Sequence, residues 1–202
     1  MGIRVRPADR SDVQELSRVL ADAFEDDPAL SWVLPDPKDR AKRLARMFSA
    51  VTRHHHLSQG GVEVATDETG VIGGATLWDP PGMWRQSTWS TLGMMPSIVW
   101  AFGGRTRFGG EFDRALDRAH PQEPHWYLST IGTGSAARGG GYGTALMSSR
   151  LDRCDAEGSA AYLESSKAAN IPYYERFGFA VTGEIPMPRG GPVLYAMWRH
   201  PR

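Results

Sequence analysis

One segment constrains this chain more than any other: Arg138-Gly139-Gly140-Gly141-Tyr142-Gly143-Thr144, set between a run fit for a strand and a run fit for a helix. Upstream, residues 126–133 are rich in aromatic and β-branched side chains and predict a central strand. Downstream, Met147, Leu151, Cys154 and Gly158 fall on one face of a helix. Glycines strip side chains from a tight turn, so successive backbone amides can point into one concavity. The free amides and positive dipole end of the following helix add to that attraction. Strand, glycine turn and helix thus build a seat for phosphate, and Arg138 adds a charge-assisted donor. The turn is not a Walker A loop, because no Gly-Lys-Ser/Thr follows and no lysine lies within twenty residues. It is also a poor Rossmann fingerprint, since Gly141-x-Gly143 is followed at the third position by Leu146.

Around this segment strands and helices are interleaved. Ile3 and Val5 alternate with polar neighbours as a strand ending near Pro7; Val13, Leu16, Leu20 and Phe24 then mark a helix over 9–24, capped by Asp9 or Ser11 and stopped by Asp26-Asp27-Pro28. Leu44, Met47, Phe48 and Val51 trace a second helix that runs to His54-His55-His56. Consecutive α-helical residues point about 100° apart, so these histidines are not expected to converge on one ion. No cysteine or HExxH pattern supports them; the cluster reads as a solvated helix end, and no metal is expected. Strands over 62–66 and 71–78 join through turn residues Glu68 to Gly70 as a hairpin. A helical insert follows over about 84–120, and then strands at 126–133, 160–164, 179–185 and 193–198, with a short helix near Tyr174. The order βαα, ββ, helical insert, βα, βα, ββ predicts an α/β domain with a mixed sheet flanked by helices. Within the insert, Trp84, Trp89, Met94, Met95, Trp100 and Phe108 suit either the lining of an apolar acceptor pocket or core packing, and their helical spacing favours packing.

A length of 202 residues suits one domain, 1–202. Lys+Arg and Asp+Glu both number 23, and no long basic run is present, which argues against a nucleic-acid partner. Cys154 is the single cysteine, which excludes an intrachain disulfide and a CxxC motif and fits a reducing cytoplasm; its place on a buried helix face reads as structural. The N-terminal residues lack an apolar signal core, and the most apolar stretch, 89–102, is broken by Gly93 and Pro96 and too short to span a bilayer. Cytoplasmic location and no membrane association are therefore expected. Sheet edges leave homodimerisation open.

One strand beyond the glycine turn stands Asn170-Ile171-Pro172-Tyr173-Tyr174-Glu175-Arg176-Phe177-Gly178-Phe179. Taken as a pair, Arg138-x-x-Gly141-x-Gly143 and Tyr174-Glu175-Arg176-x-Gly178-Phe179 resemble the GNAT acetyltransferase superfamily. Within it, Glu123-Pro124-x-Trp126, Thr130-Ile131-Gly132, Leu163-Glu164 and Asn170-x-Pro172-x-Tyr174-Glu175-Arg176 are similar to the puromycin N-acetyltransferase group. The resemblance implies the GNAT fold, acetyl-CoA as co-substrate with no metal, and a small-molecule amine acceptor, antibiotic-like or an aminonucleoside. It implies that Arg138, Gly139, Gly140, Gly141, Tyr142, Gly143 and Thr144 bind the pyrophosphate. The pantetheine arm would pair with a splayed strand at Ile131, Gly132 and Thr133, with Asn170 and Tyr173 also on the cofactor. Two residues depart from the pattern: Gly140 stands where the family usually has Lys or Arg, and Lys167 where many members have a helix-starting Asn, for which Asn170 is the substitute.

Amide formation from a thioester requires a neutral amine, a stabilised oxyanion and a proton for the departing thiolate. Tyr174 is the candidate acid, an unperturbed phenol near pKa 10 being matched to an alkyl thiolate, with Tyr173 second. Glu164, at a strand end, is the candidate base, with Asp26, Glu25 and Glu123 as alternatives. An α-amine of pKa about 7.7 to 8.0 would need little help. Two other functions stay open: a peptide or protein N-acetyltransferase, and a non-catalytic acyl-CoA-binding regulatory module.

Overall fold

Seven strands form one sheet in the order β1-β2-β3-β4-β5-β7-β6, as described for residues 2–202 by a computed structural model. β1 (Arg4–Pro7), β2 (Val62–Thr66), β3 (Ile72–Asp79) and β4 (His125–Thr133) are antiparallel in turn; β4 and β5 (Ala160–Ser165) run parallel. The chain then places β7 (Val193–Arg199) between β5 and β6 (Ala180–Pro186), antiparallel to both. This is the mixed sheet the sequence predicted, and its strands sit close to the runs named above.

Period-two alternation sends neighbouring residues to opposite faces. On one face Val64, Ala75 and Leu77 meet Leu16 and Leu20 of α1 (Val13–Ala23) and Leu44 and Phe48 of α3 (Arg40–Val51). On the other, Trp78, Trp126, Leu128 and Leu163 meet Met147, Leu151 and Cys154 of α6 (Tyr142–Ala156), with Tyr174 of α7 (Ile171–Glu175) at the end. Burial pushes the Cys154 thiol up to about 12, so it is a packing group and not a nucleophile. α1 crosses β4 closely: a Cβ on Gly132 would lie 2.8 Å from the Ala23 Cβ and 3.0 Å from Leu20 Cδ2.

Several local expectations are corrected. Asp26-Asp27-Pro28 ends α1 and also begins α2 (Pro28–Val33). The Asp27 carboxylate accepts from the amides of Ala29 and Leu30 at 3.0 Å each, and Pro28 takes the first helical position. α1 itself starts after Asp12, not Asp9 or Ser11, and the Asp12 carboxylate is held by the Arg6 guanidinium at 2.7 and 2.8 Å. Between β3 and β4 lie α4 (Thr88–Phe102) and α5 (Thr106–Ala119). α4 carries apolar residues all round but is covered on one side only, so Met94 is buried while Trp89, 83% exposed, and Met95 and Trp100 face outward. Those three belong neither to the core nor to a pocket. Phe108 packs edge-on against Trp32.

The histidine run is the largest correction. After α3 the chain winds into a π-turn, Thr52–His56, closed by the Leu57 amide on the Thr52 carbonyl. Within this turn His55 and His56 both point inward, to Asp79. His55 Nε2 and His56 Nδ1 lie 3.1 and 2.9 Å from Asp79 Oδ1, and all three residues are buried. These ligand-type atoms lie within 4.8 Å of one another, so divergence of consecutive histidines is not a ground for setting a metal aside. His54 points elsewhere, its ring filling the space left by Gly93 of α4, where a Cβ would be 2.6 Å from His54 Nδ1.

Burial alone would raise the Asp79 carboxyl pKa, but His56 and His55 outweigh it and hold it below the usual carboxylate range. A depressed carboxylate stabilises the fold fully above its unfolded pKa, about 3.9, and loses that contribution as pH falls through the lower folded value. Asp79→Asn is therefore expected to cost about 1–3 kcal/mol in urea unfolding at pH 5 to 7, and the difference from the wild type should shrink below about pH 4. Gly132→Ala is expected to cost about 1–3 kcal/mol by the same measurement, because α1 must lift from β4.

Candidate active site

β4 and β5 share hydrogen bonds over four register pairs, from His125↔Ala160 to Leu128↔Leu163, and then part. The cause is a bulge. β3 pairs Trp78 with Leu128 and Leu77 with Thr130, so Ser129 is an extra residue on β4. Beyond it β4 follows β3 as far as Gly74↔Thr133, while β5 follows β7 to Ser165↔Tyr195. The gap is a cleft of about 360 Å³ lined by 128–133 on one wall and 163–167 on the other, with Phe24, Arg138, Asn170 and Tyr174 around it. Ile131, Gly132 and Thr133 therefore have a backbone edge turned away from β5, which is what a pantetheine arm would pair with.

The glycine turn stands at one end of this cleft. Gly139 and Gly141 have φ of 77° and 90°, left-handed values that side chains disfavour. α6 opens at Tyr142, and the first amide to reach back to the turn is that of Ala145, on the Gly141 carbonyl at 3.0 Å. The amides of Tyr142, Gly143 and Thr144 thus have no intrahelical acceptor. The Tyr142 ring lies against Gly73, where a Cβ would come within 2.4 Å of it, so its side chain is a packing group and its amide is what it offers a ligand. A Cβ on Gly143 would stand 3.0 Å from the Tyr173 hydroxyl, which is buried and has no hydrogen-bond partner among the described residues. Burial pushes this phenol up to about 12. Free amides, exposed Arg138 and an unpartnered hydroxyl beneath the loop fit a phosphate-bearing ligand; Gly140 adds no charge there.

Tyr174 and Glu164 line the same cleft. Tyr174 is buried and lines the cleft. Burial, with Tyr173 and Asp27 nearby, raises its pKa well above 10, so the expectation of an unperturbed phenol is corrected: it keeps its proton throughout the physiological range. Glu164, near the end of β5, has a side chain only 3% exposed, and its Oε1 has no hydrogen-bond partner among the described residues. Two phenols adjoin it, Tyr127 and Tyr162, both raised by burial and by the Glu164 charge.

The other candidate bases are engaged or displaced. Asp26 pairs with Lys167 Nζ at 2.9 Å, which holds its carboxyl below the usual range. Asp27, also on the cleft, accepts from α2 and from the Ser166 hydroxyl. These two contacts latch the loop after β5 onto the α1–α2 turn. Glu25 is exposed off the cleft, and Glu123 belongs to a second cleft of about 310 Å³ beside Trp84 and His125. Two buried residues escaped the sequence reading: His120, after α5, and His125, opening β4, whose Nε2 atoms lie 3.1 Å apart. The period-two pattern that puts His125 on the Tyr127 face was the available signal.

Residues 21–179 match the Acetyltransferase (GNAT) family. An uncharacterized N-acetyltransferase of Schizosaccharomyces pombe is 31% identical over 192 residues, spanning 88% of this chain and 74% of that protein. Among solved structures, one named histone acetyltransferase HPA2 and related acetyltransferase, from Corynebacterium glutamicum, is 33% identical with a TM-score of 0.79, covering 100% of this chain and 98% of its own. A Drosophila melanogaster polyamine N-acetyltransferase shares the fold at 16% identity, with a TM-score of 0.65 and coverage of 98% of this chain and 100% of its own. The chain belongs to the Acetyltransferase (GNAT) family, and what it catalyses is an acetyl-CoA-dependent acyl transfer.

Proposed function

We propose that the chain acetylates the amine of a small molecule, antibiotic-like or an aminonucleoside, as its likeness to the puromycin N-acetyltransferase group suggests, working in the cytoplasm as a single domain over 1–202 with 84–120 as a helical insert. The observation that carries this reading is the cleft. The Lys167–Asp26 and Ser166–Asp27 latches close one side of it, beside Glu164 and Tyr174. A peptide acceptor would need a longer trough.

Acetyl-CoA supplies the acyl group as a thioester. Arg138, Gly139, Gly140, Gly141, Tyr142, Gly143 and Thr144 hold its pyrophosphate through backbone amides and one guanidinium, and Ile131, Gly132 and Thr133 align its arm, with Asn170 and Tyr173 alongside. Glu164 takes the proton from the acceptor ammonium. Tyr174 donates its hydroxyl proton to the departing sulfur and is restored by the second proton that the attacking nitrogen sheds as the amide forms; a phenol raised this far is a weak acid, so it gives up the proton only as the thiolate charge develops. A second reading, a peptide or protein amine acceptor, is favoured by the name carried by the Corynebacterium glutamicum relative.

Coenzyme A release is the test, across puromycin, aminoglycosides, amino-acid amides and short peptides. A fast signal with one small amine is expected. With that amine, Tyr174→Phe should lower kcat by roughly 10²-fold or more while leaving acetyl-CoA affinity unchanged, and Glu164→Gln should flatten the dependence of kcat/KM on pH. A signal with peptides alone would transfer the assignment to the second reading. Tight acetyl-CoA binding with only slow, acceptor-independent hydrolysis would mark a regulatory module.

A further inference from the structure

Behind Glu164, on the side away from the glycine turn, the hydrogen-bond geometry fixes where protons sit. His125 Nδ1 lies 2.6 Å from the Glu123 carbonyl oxygen. A carbonyl only accepts, so Nδ1 carries the hydrogen, and in the neutral ring Nε2 is a bare lone pair. Burial holds His125 to that neutral form, by lowering its pKa. His120 Nε2, 3.1 Å from His125 Nε2, must then be the donor. In the neutral His120 ring Nδ1 is then bare, and Nδ1 is the atom that faces Glu164 Oε1, 3.8 Å away. An unpartnered buried carboxylate oxygen and an unprotonated ring nitrogen confront each other with no hydrogen between them. The arrangement has room for one proton.

We infer that His120 is the proton acceptor behind Glu164, and that His125 is a positioning residue that fixes the His120 tautomer for this role. The inference rests on Glu164 as the base. The overall reaction converts an ammonium and a thioester to an amide, a thiol and one proton, so a proton must be stored or released in every turnover. The N–H bond of the acceptor breaks and an O–H bond forms on Glu164. That proton then passes to His120 Nδ1, restoring the carboxylate. The resulting imidazolium donates on both sides, from Nδ1 to Glu164 and from Nε2 to His125, and the 3.8 Å gap closes to a hydrogen bond. When product leaves and water enters the cleft, the proton returns through Glu164 to solvent, and both rings recover their starting tautomers.

The surroundings suit this task. Trp84 stacks on the His120 ring with centroids 3.8 Å apart at 27°, and Tyr127 and Tyr162 meet its edge at 4.8 and 5.1 Å, which fixes the ring plane. Both phenols are raised by burial and by Glu164, Tyr127 by Asp79 as well, so they stay neutral and do not compete for the proton. Trp198, edge-on to His125 at 5.2 Å, is uncharged, and the Glu123 side chain is exposed.

Long-range 1H–15N spectra of the 15N-histidine-labelled protein, assigned with His120→Gln and His125→Gln, read the tautomers directly and need no acceptor. The expected result at neutral pH is an Nε2–H tautomer for His120 and an Nδ1–H tautomer for His125, with His125→Gln shifting His120 toward mixed tautomers. An Nδ1–H tautomer for His120 in the wild type would overturn the inference. In kinetics with the fastest amine of the panel, His120→Gln and Glu164→Gln should each lower kcat/KM by roughly 10²-fold and alter its pH profile alike, with the double variant no worse than either. Acetyl-CoA affinity and Tm near wild type would separate this from a folding defect. If Glu164→Gln changes the profile while His120→Gln leaves it intact, only the histidine role falls; if Glu164→Gln changes nothing, the base assignment falls with it.

Discussion

The parting of β4 from β5 beyond Leu128 and Leu163 is the constraint on which the rest of the structure depends. Unpaired backbone inside a protein is costly unless it finds another partner, so two parallel neighbours do not separate without compensation. Here each strand keeps its outer neighbour, β3 for β4 and β7 for β5, so neither loses its second edge. The bulge at Ser129 supplies the local change of direction, and Gly132 lets α1 close over the diverging strand. The gap is thus lined by Arg138 of the glycine turn, by Asp26 and Asp27 of the α1–α2 turn and by Glu164 of β5.

These parts of the lining are built from different materials for a physical reason. The glycine turn is exposed and offers backbone amides, a construction that suits an anion without burying any side-chain charge. The acceptor side instead carries buried ionisable groups on the face of the sheet opposite α6. Register places Asp79, Tyr127, Tyr162 and Trp198 in one row across β3, β4, β5 and β7, with His55 and His56 at one end and Glu164 two residues from Tyr162. The phenols separate the two carboxylates, and each charge raises the Tyr127 phenol.

The sheet was legible because period-two runs bounded by turn residues have few other readings, and the glycine turn because its neighbours announced a strand and a helix. Residues whose role depends on context were not. Asp27 and Pro28 stop one helix and start another with the same chemistry, so the pair reads as an end or a beginning with equal right. The histidine run was read as diverging, and the convergence of His55 and His56 on Asp79 within a π-turn leaves no mark in composition. In α4, apolar residues on all sides conceal which of them tertiary contacts cover. Of the cleft, the strand and the glycine turn were accessible to sequence reasoning as structure. The phenol acidity was not, since it is set by burial that no local pattern records.

The same distinction explains why His120 and His125 were passed over. The period-two pattern of β4 could place His125 on the Tyr127 face, but His120 carries no spacing signal, and the two belong to different elements, one after α5 and one opening β4, brought together by the short turn between them. Their significance lies in the direction of hydrogen bonds, and that direction begins at a backbone carbonyl: Glu123, whose side chain plays no part, fixes His125 and through it His120. A proton's resting place is thus decided by main-chain geometry three groups away from the carboxylate that uses it. The polar groups on this face are set among apolar ones, Tyr127 and Tyr162 packing with Leu194 and Ala196 in a third core cluster, and in the inferred relay they keep one nitrogen unprotonated beside Glu164.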